Sequence, residues 1–397
     1  MPRRSERAAA PAEAALELRI ESLAKGGEGV GRAPDGRVVF VPFTAPGDLV
    51  RVAVVARHAR WLRGEAVELL EPGPGRTDPL CPLFGVCGGC DWQHLDYPVQ
   101  LEAKRRILAD ALERIARVRV PDGFPFHPSP SPYGYRSRAR VAARRGRVGF
   151  RRRHSHAICA ASRCPVLVPA LDEPLAALAR RPPEPTGEWE LSAGTEGGAS
   201  VARVPVRDSG THVDVEVAGE WLRVSGGSFL QANALLRERL ALAVGDAAGR
   251  GGRCLELFAG AGLFTILLAR RFTRVLAVES HPGAAADLEE NVQTAGLDEV
   301  VEILARPVED AFAGARLAAF RPEVVVLDPP RTGLEPPARD GLPRLGARRL
   351  VYVSCDPATL ARDVAVLADA DYRLASLEGF DLFPQTAHVE ALAVMER

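Results

Sequence analysis

The chain has 397 residues, of which 47% are hydrophobic and 26% charged, and its formal net charge is zero. That length exceeds one comfortable core and predicts two or three domains. The composition is that of a soluble globular protein, no apolar run approaches a membrane span, and a zero net charge argues against a uniformly basic nucleic-acid binder. Of the 51 cations only Lys25 and Lys104 are lysines, a bias that genome composition explains best. The seven cysteines are an odd number in a chain that opens without the apolar stretch of a secretory signal. Both features favour a reducing cytoplasm over a disulfide framework.

Residues 1–15, MPRRSERAAAPAEAA, read as a disordered tail; Glu6 and Glu13 argue against a transit peptide. Over residues 16–72, LELRIESL, GRVVFVPF, LVRVAVVAR and RGEAVELL are short β-rich runs punctuated by KGGEGVG and APGD. They predict a small barrel, an architecture that often binds oligonucleotides. Cys81, Cys87 and Cys90 follow at C-x5-C-x2-C, a density of thiols that suits zinc or an iron–sulfur cluster. Cys159 and Cys164 compete as a fourth ligand. Residues 98–116 carry Leu101, Ile107, Leu108, Leu112 and Ile115 at helical spacing.

A Pro-rich connector over residues 123–135 leads to a second β-rich stretch ending near residue 225. Between Asp122 and Asp172 there is no acid but there are ten arginines, most of them in RSRARVAARRGRVGFRRRH. Their alternation with Val141, Val148 and Phe150 predicts a folded, basic sheet able to contact nucleic-acid phosphates.

From about residue 228 apolar strands alternate with amphipathic helices. RCLELF, RVLAVES, VVEILA, EVVVLDPP, RRLVYVSC and HVEALAVME are strand candidates. This alternation predicts a doubly wound, mainly parallel sheet with ligands outside the carboxyl ends of its strands. LELFAGAGLFT is a strand, a glycine turn and a helix start, in which Gly260 and Gly262 allow close approach of a ligand. Glu279 ends the next strand, where a carboxylate can accept hydrogen bonds from a ribose. Cys355, in VSCDPATL, ends another strand just before a helix whose amides would favour a thiolate.

ELFAGAGLFT and VES resemble the first motifs of class I S-adenosylmethionine-dependent methyltransferases. With SFLQAN, LDPPRTG, VSCDPATLARD and DLFPQTAHVEA they resemble, in order and spacing, the RNA uridine-5-methyltransferase family. The N-terminal barrel is similar to a TRAM domain. The resemblance implies a multidomain α/β protein: the barrel at 16–72, a central β-rich iron–sulfur and RNA-binding domain from 73–97 and 120–226, and a Rossmann-like methyltransferase domain from 98–119 and 227–397. It implies that Cys355 is the nucleophile and Glu390 the base. Gln231, Phe258, Gly260, Glu279 and Asp328 would bind S-adenosylmethionine. Cys81, Cys87, Cys90 and Cys164 would hold a 4Fe–4S cluster, Cys164 because the family's fourth ligand precedes proline. Leu263 and Pro307 stand where the family often carries asparagine.

The expected reaction is methylation of C5 of a uridine in RNA by a cytoplasmic monomer. Large-subunit rRNA is favoured, because barrel and cluster cysteines together resemble the ribosomal branch; tRNA is the alternative. A cytosine-C5 enzyme shares the thiol chemistry, but its cysteine usually follows proline or threonine, whereas Cys355 follows Ser354. His388 is a rival base and Arg331 a candidate for steadying an enolate or a phosphate. Considered alone, Glu390 reads as an edge-strand surface acid.

Overall fold

A computed structural model describes residues 15–205 and 211–397; the tail expected over 1–15 lies, except for Ala15, outside them. The chain divides into two compact units. One takes the chain to Gly85 together with Cys90–Ala103 and Gln385–Ala387; the other takes Val86–Gly89, Lys104–Pro384 and His388–Arg397. Among the described residues no helix is long and apolar enough to cross a membrane.

The first unit is built on a closed five-stranded barrel of Leu16–Leu23, Gly29–Arg32, Val38–Val41, Leu49–Arg57 and Trp61–Glu71. Alternate residues point inward, so Leu18, Ile20, Val39, Val41, Val50, Val52 and Leu62 fill its core. The Gly29–Arg32 strand falls partly in KGGEGVG, which reads as a turn because its glycines mask the alternation. Asp48 ties the barrel to the chain that follows. Its enclosed carboxylate accepts from the Ala45 amide at 2.7 Å, the Gly73 amide at 2.8 Å and Arg76 Nη2 at 2.7 Å.

In the second unit the arginine-rich run forms part of a five-stranded sheet, ordered Ala199–Val204, Gly187–Ala193, Arg138–Arg144, Arg147–Arg151 and Ile158–Ala160. Leu171 and Leu175 pack beneath it on Ala139, Val141 and Val148. Several of its arginines are internally paired: Arg138 and Arg140 share Glu190, and Arg151 meets Glu188.

The same unit holds an eight-stranded sheet. Its order is Val301–Ala305, Phe272–Glu279, Gly251–Leu257, Val324–Leu327, Arg349–Ser354, Glu390–Glu396, Arg373–Phe380 and Phe126–His127. The first five strands are mutually parallel, and Glu390–Glu396 inserts antiparallel to both neighbours. Buried Leu255, Val325 and Val351 run through its centre, with helices Arg237–Ala248, Pro282–Thr294 and Pro357–Asp369 between the strands. Arg373–Phe380 was not foreseen because RLASLEGF is mostly exposed toward its start and lacks clean alternation.

Burial alone would raise the proton affinity of Asp48, but Arg76 and the two amides outweigh it and hold its carboxyl below the usual range. Its contribution to stability is therefore present above the unfolded carboxyl value and lost as pH falls through the lower folded one. Asp48→Ala should destabilise the barrel by about 3 kcal/mol, because it strands a partly buried arginine and two amides. Tryptophan-monitored urea unfolding of the full chain at pH 7 would measure the loss.

Candidate active site

Four strand ends converge on one region of the second unit. The strand Gly251–Leu257 gives way to Phe258, Gly260 and Gly262, with φ of 64°, 59° and 97°. A side chain at Gly262 would start 2.9 Å from Leu288 Cδ1, so the turn requires glycine both sterically and conformationally. A phenylalanine in the left-handed region is strained, a cost that structures tolerate mainly at functional sites. Glu279, at the end of the neighbouring strand, organises this turn. Its carboxylate accepts the Gly260 amide at 2.8 Å and the His281 amide at 2.6 Å. An open cavity of about 570 Å³ begins just beyond it, lined by Ser280, Pro282, Ile303 and Ala305. Leu263 is buried, and Pro307 caps the short helix Val308–Ala313.

The next two strands carry Asp328 and Cys355. Asp328 follows Val324–Leu327 and accepts a hydrogen bond from buried Gln231 at 3.2 Å. Protein packed around its carboxyl pushes it up to about 7, against the opposing pull of Gln231. The loop after it turns at Gly333 (φ 72°) and is fastened by Asp363, which accepts from the Leu334 amide and the Tyr352 hydroxyl. That loop presents Arg331, whose Nη2 lies 3.4 Å from His388 Nε2.

Cys355 is partly exposed between the strand Arg349–Ser354 and the helix Pro357–Asp369. The expectation that helix amides would lower its pKa is corrected here. Asp356 caps that helix, accepting from the Ala358 and Thr359 amides at 3.0 and 3.1 Å, which takes up those donors. Burial pushes the thiol up to about 12, with Glu390 and Asp328 adding to the rise and Arg331 opposing it.

Glu390 also departs from the surface acid that it resembles in sequence. Its strand lies between two others, and Ser354 pairs with Ala391, so the next positions outward are Cys355 and Glu390. It is 1% exposed, and neither carboxylate oxygen has a hydrogen-bond partner among the described residues. Burial, reinforced by Asp328, raises its proton affinity strongly.

Sequence reasoning overlooked Glu256, an acid inside the apolar run RCLELF. Both its oxygens and the Thr265 hydroxyl lack hydrogen-bond partners among the described residues, although Thr265 is close enough to oppose the rise in pKa. Burial and then the charges of Asp328 and Glu279 push Glu256 up to about 8. Orphaned acceptors on Glu256 and Gln231 beside a strained glycine turn fit a nucleoside cofactor with cationic groups.

Cys81, Cys87, Cys90 and Cys164 are partly exposed, whereas Cys159 is buried. Cys81 and Cys90 belong to one unit and Cys87 and Cys164 to the other, so neither unit supplies three of them. Among the described residues no group of three or more Cys, His, Asp and Glu side chains is arranged to hold a metal.

The doubly wound sheet, its glycine turn and the ring of carboxyls define an S-adenosylmethionine-dependent methyltransferase. A family model described as tRNA (Uracil-5-)-methyltransferase matches residues 211–397, and a TRAM domain model matches residues 14–67. The 23S rRNA (uracil(1939)-C(5))-methyltransferase RlmD of Alkalilimnicola ehrlichii is 35% identical, over 96% of this chain and 96% of its own. An uncharacterized RNA methyltransferase of Streptomyces coelicolor is 34% identical over 96% and 92%. The crystal structure of Pyrococcus abyssi tRNA (uracil-54, C5)-methyltransferase with S-adenosyl-L-homocysteine superposes with a TM-score of 0.74 at 26% identity, covering 96% of this chain and all of that one. The chain belongs to the RNA uracil-5-methyltransferase family.

Carboxyls with pKa values above their unfolded ones hold protons more tightly in the folded state. Their stabilising contribution is intact at low pH and lost as pH rises through about 7 for Asp328 and about 8 for Glu256. The thermal midpoint of ligand-free protein should therefore drop by roughly 5 °C between pH 6 and pH 9. Glu256→Gln should flatten much of that slope; calorimetry across the range would show it.

Proposed function

We propose that this chain methylates C5 of a uridine in 23S rRNA through a covalent adduct between Cys355 and C6 of the uracil, with Glu390 as the base. The supporting observation is the register that sets Cys355 and Glu390 on adjacent antiparallel strands beside Asp328. C5 of uracil is too weak a nucleophile to react unaided. Once Cys355 has released its proton to solvent, addition of the thiolate to C6 moves electron density onto C5. S-adenosylmethionine, when bound, supplies the electrophilic methyl group. Glu390 then takes the C5 proton, and the electrons left behind restore the C5–C6 double bond as the Cys355–C6 bond breaks.

Each neighbouring residue has a role in this reading. Gln231, Phe258, Gly260, Glu279 and Asp328 bind the cofactor, and Glu256 meets its cationic side. Arg331 opposes the rise in the thiol's pKa and so favours the thiolate when uridine arrives. His388, beside that arginine, is better suited to holding it than to acting as base. The ribosomal target is favoured by the 35% identity to an RlmD over nearly the whole of both chains. The tRNA reading draws on the 26% identical structural neighbour.

Cys355→Ala should abolish both turnover and trapping by 5-fluorouridine RNA, a loss of at least about a thousandfold. Glu390→Gln should still form the adduct and release it slowly. Mapping 5-methyluridine in rRNA and tRNA of a deletion strain would decide the target, and loss confined to tRNA would reverse the ribosomal assignment.

The 4Fe–4S reading rests on the C-x5-C-x2-C spacing of Cys81, Cys87 and Cys90 and, for Cys164 and the identity of the cluster, on the family resemblance; the methyl transfer does not depend on it. Protein produced anaerobically with iron supplied should show a broad brown absorbance that Cys87→Ala removes. A colourless product would set the reading aside.

A further inference from the structure

In a chain that uses arginine at 49 of its 51 cationic positions, Lys104 is an exception that composition does not explain. It lies on the helix Tyr97–Ala111 and is fully buried. Its ammonium donates to Asp381 Oδ1 at 2.5 Å and to the Phe383 carbonyl at 2.9 Å. Asp381 is equally buried, and its other oxygen meets no donor among the described residues. Burying such a pair costs several kcal/mol per ion, by a general estimate of about that size, and an apolar pair would commonly be as stable. Its value is geometric.

The pair fixes the segment Asp381–Pro384, which leaves the strand Arg373–Phe380 toward Glu390 after one last backbone bond, from the Asp381 amide to the His127 carbonyl at 2.9 Å. Other side chains hold the same segment by its carbonyls: Asn233 Nδ2 reaches that of Leu382 at 3.2 Å, and the Tyr135 hydroxyl that of Pro384 at 2.9 Å. Asn233 lies two residues from Gln231, the partner of Asp328. On its far side the segment carries Phe383, whose ring meets His388 edge-on at 5.9 Å, and His388 meets Arg331. A compact ammonium can sit between two acceptors in an enclosed space that a planar guanidinium would overfill.

We propose that Lys104 is a positioning residue for methyl transfer. Held between Asp381 and the Phe383 carbonyl, it sets the path of the Asp381–Pro384 segment and thereby the placement of His388 and Glu390 relative to Cys355. The proposal rests on the reading of Cys355 and Glu390 as the reacting pair.

Lys104→Met leaves Asp381 as a lone buried charge and is prone to misfold, so the decisive variant is Lys104→Met/Asp381→Leu, which removes both charges. Assayed with an unmodified 23S rRNA transcript, it should keep the wild-type thermal midpoint and S-adenosylmethionine affinity. Its turnover should fall about 10- to 100-fold, the scale of a misplaced reacting group. A covalent RNA–protein species should accumulate on ordinary uridine, as with Glu390→Gln. Lys104→Arg should fail to preserve turnover.

Wild-type turnover in either the double variant or Lys104→Arg would overturn the proposal. So would a loss matched by weakened cofactor binding or a lowered midpoint, which marks a purely structural pair. Slow Glu390→Gln beside an unaffected double variant sinks the positioning role alone, whereas undiminished Glu390→Gln sinks the underlying reading and the proposal with it.

Discussion

The antiparallel insertion of Glu390–Glu396 between two other strands is the constraint on which the site depends. Because side chains alternate along a strand, pairing Ser354 with Ala391 decides which residues face the same region at the strand ends. A slip of one residue would turn Glu390 to the opposite face and replace it with Val389 or Ala391. The apolar content of EALAVME, buried along nearly its whole length, makes such a slip costly. The register is thus enforced by the core while its consequence appears at the rim.

That rim is electrostatically unusual. Glu256, Asp328 and Glu390 are three carboxyls whose burial raises their proton affinity, and the charge of Asp328 adds to the rise at the other two. Arg331 is the cation that opposes them at Cys355 and Glu390, and it stands exposed on a loop. A cationic ligand among such acids would favour their charged forms, which agrees with a sulfonium methyl donor. Glu279 belongs to the frame of the site as well, because its two backbone hydrogen bonds shape the glycine turn.

Much of this was legible in the sequence, where local chemistry and tertiary role coincide. The parallel strands are uninterrupted apolar runs, and the glycine turn and the strand-end positions of Asp328 and Cys355 follow from them. Glu390 and Glu256 were harder for a common physical reason. An acid in an apolar run looks the same whether its strand is central or at an edge, and burial is set by strand order, which is non-local. The helix next to Cys355 was also misread electrostatically. Asp356 was visible in the sequence, but its side chain's capping bonds depend on a rotamer that the sequence does not specify. Arg138 shows the same limit: it reads as part of a nucleic-acid face, yet it is spent internally on Glu190 and the Ser228 carbonyl.

The helix cap at Asp356 also bears on how long the enzyme lasts. Peroxide and related oxidants attack thiolates far faster than thiols. Burial and the carboxyls of Glu390 and Asp328 push the Cys355 thiol away from that reactive form, and the Asp356 cap has already claimed two amides of the adjoining helix. A cysteine in such surroundings is less open to oxidative loss than one activated by an uncapped helix.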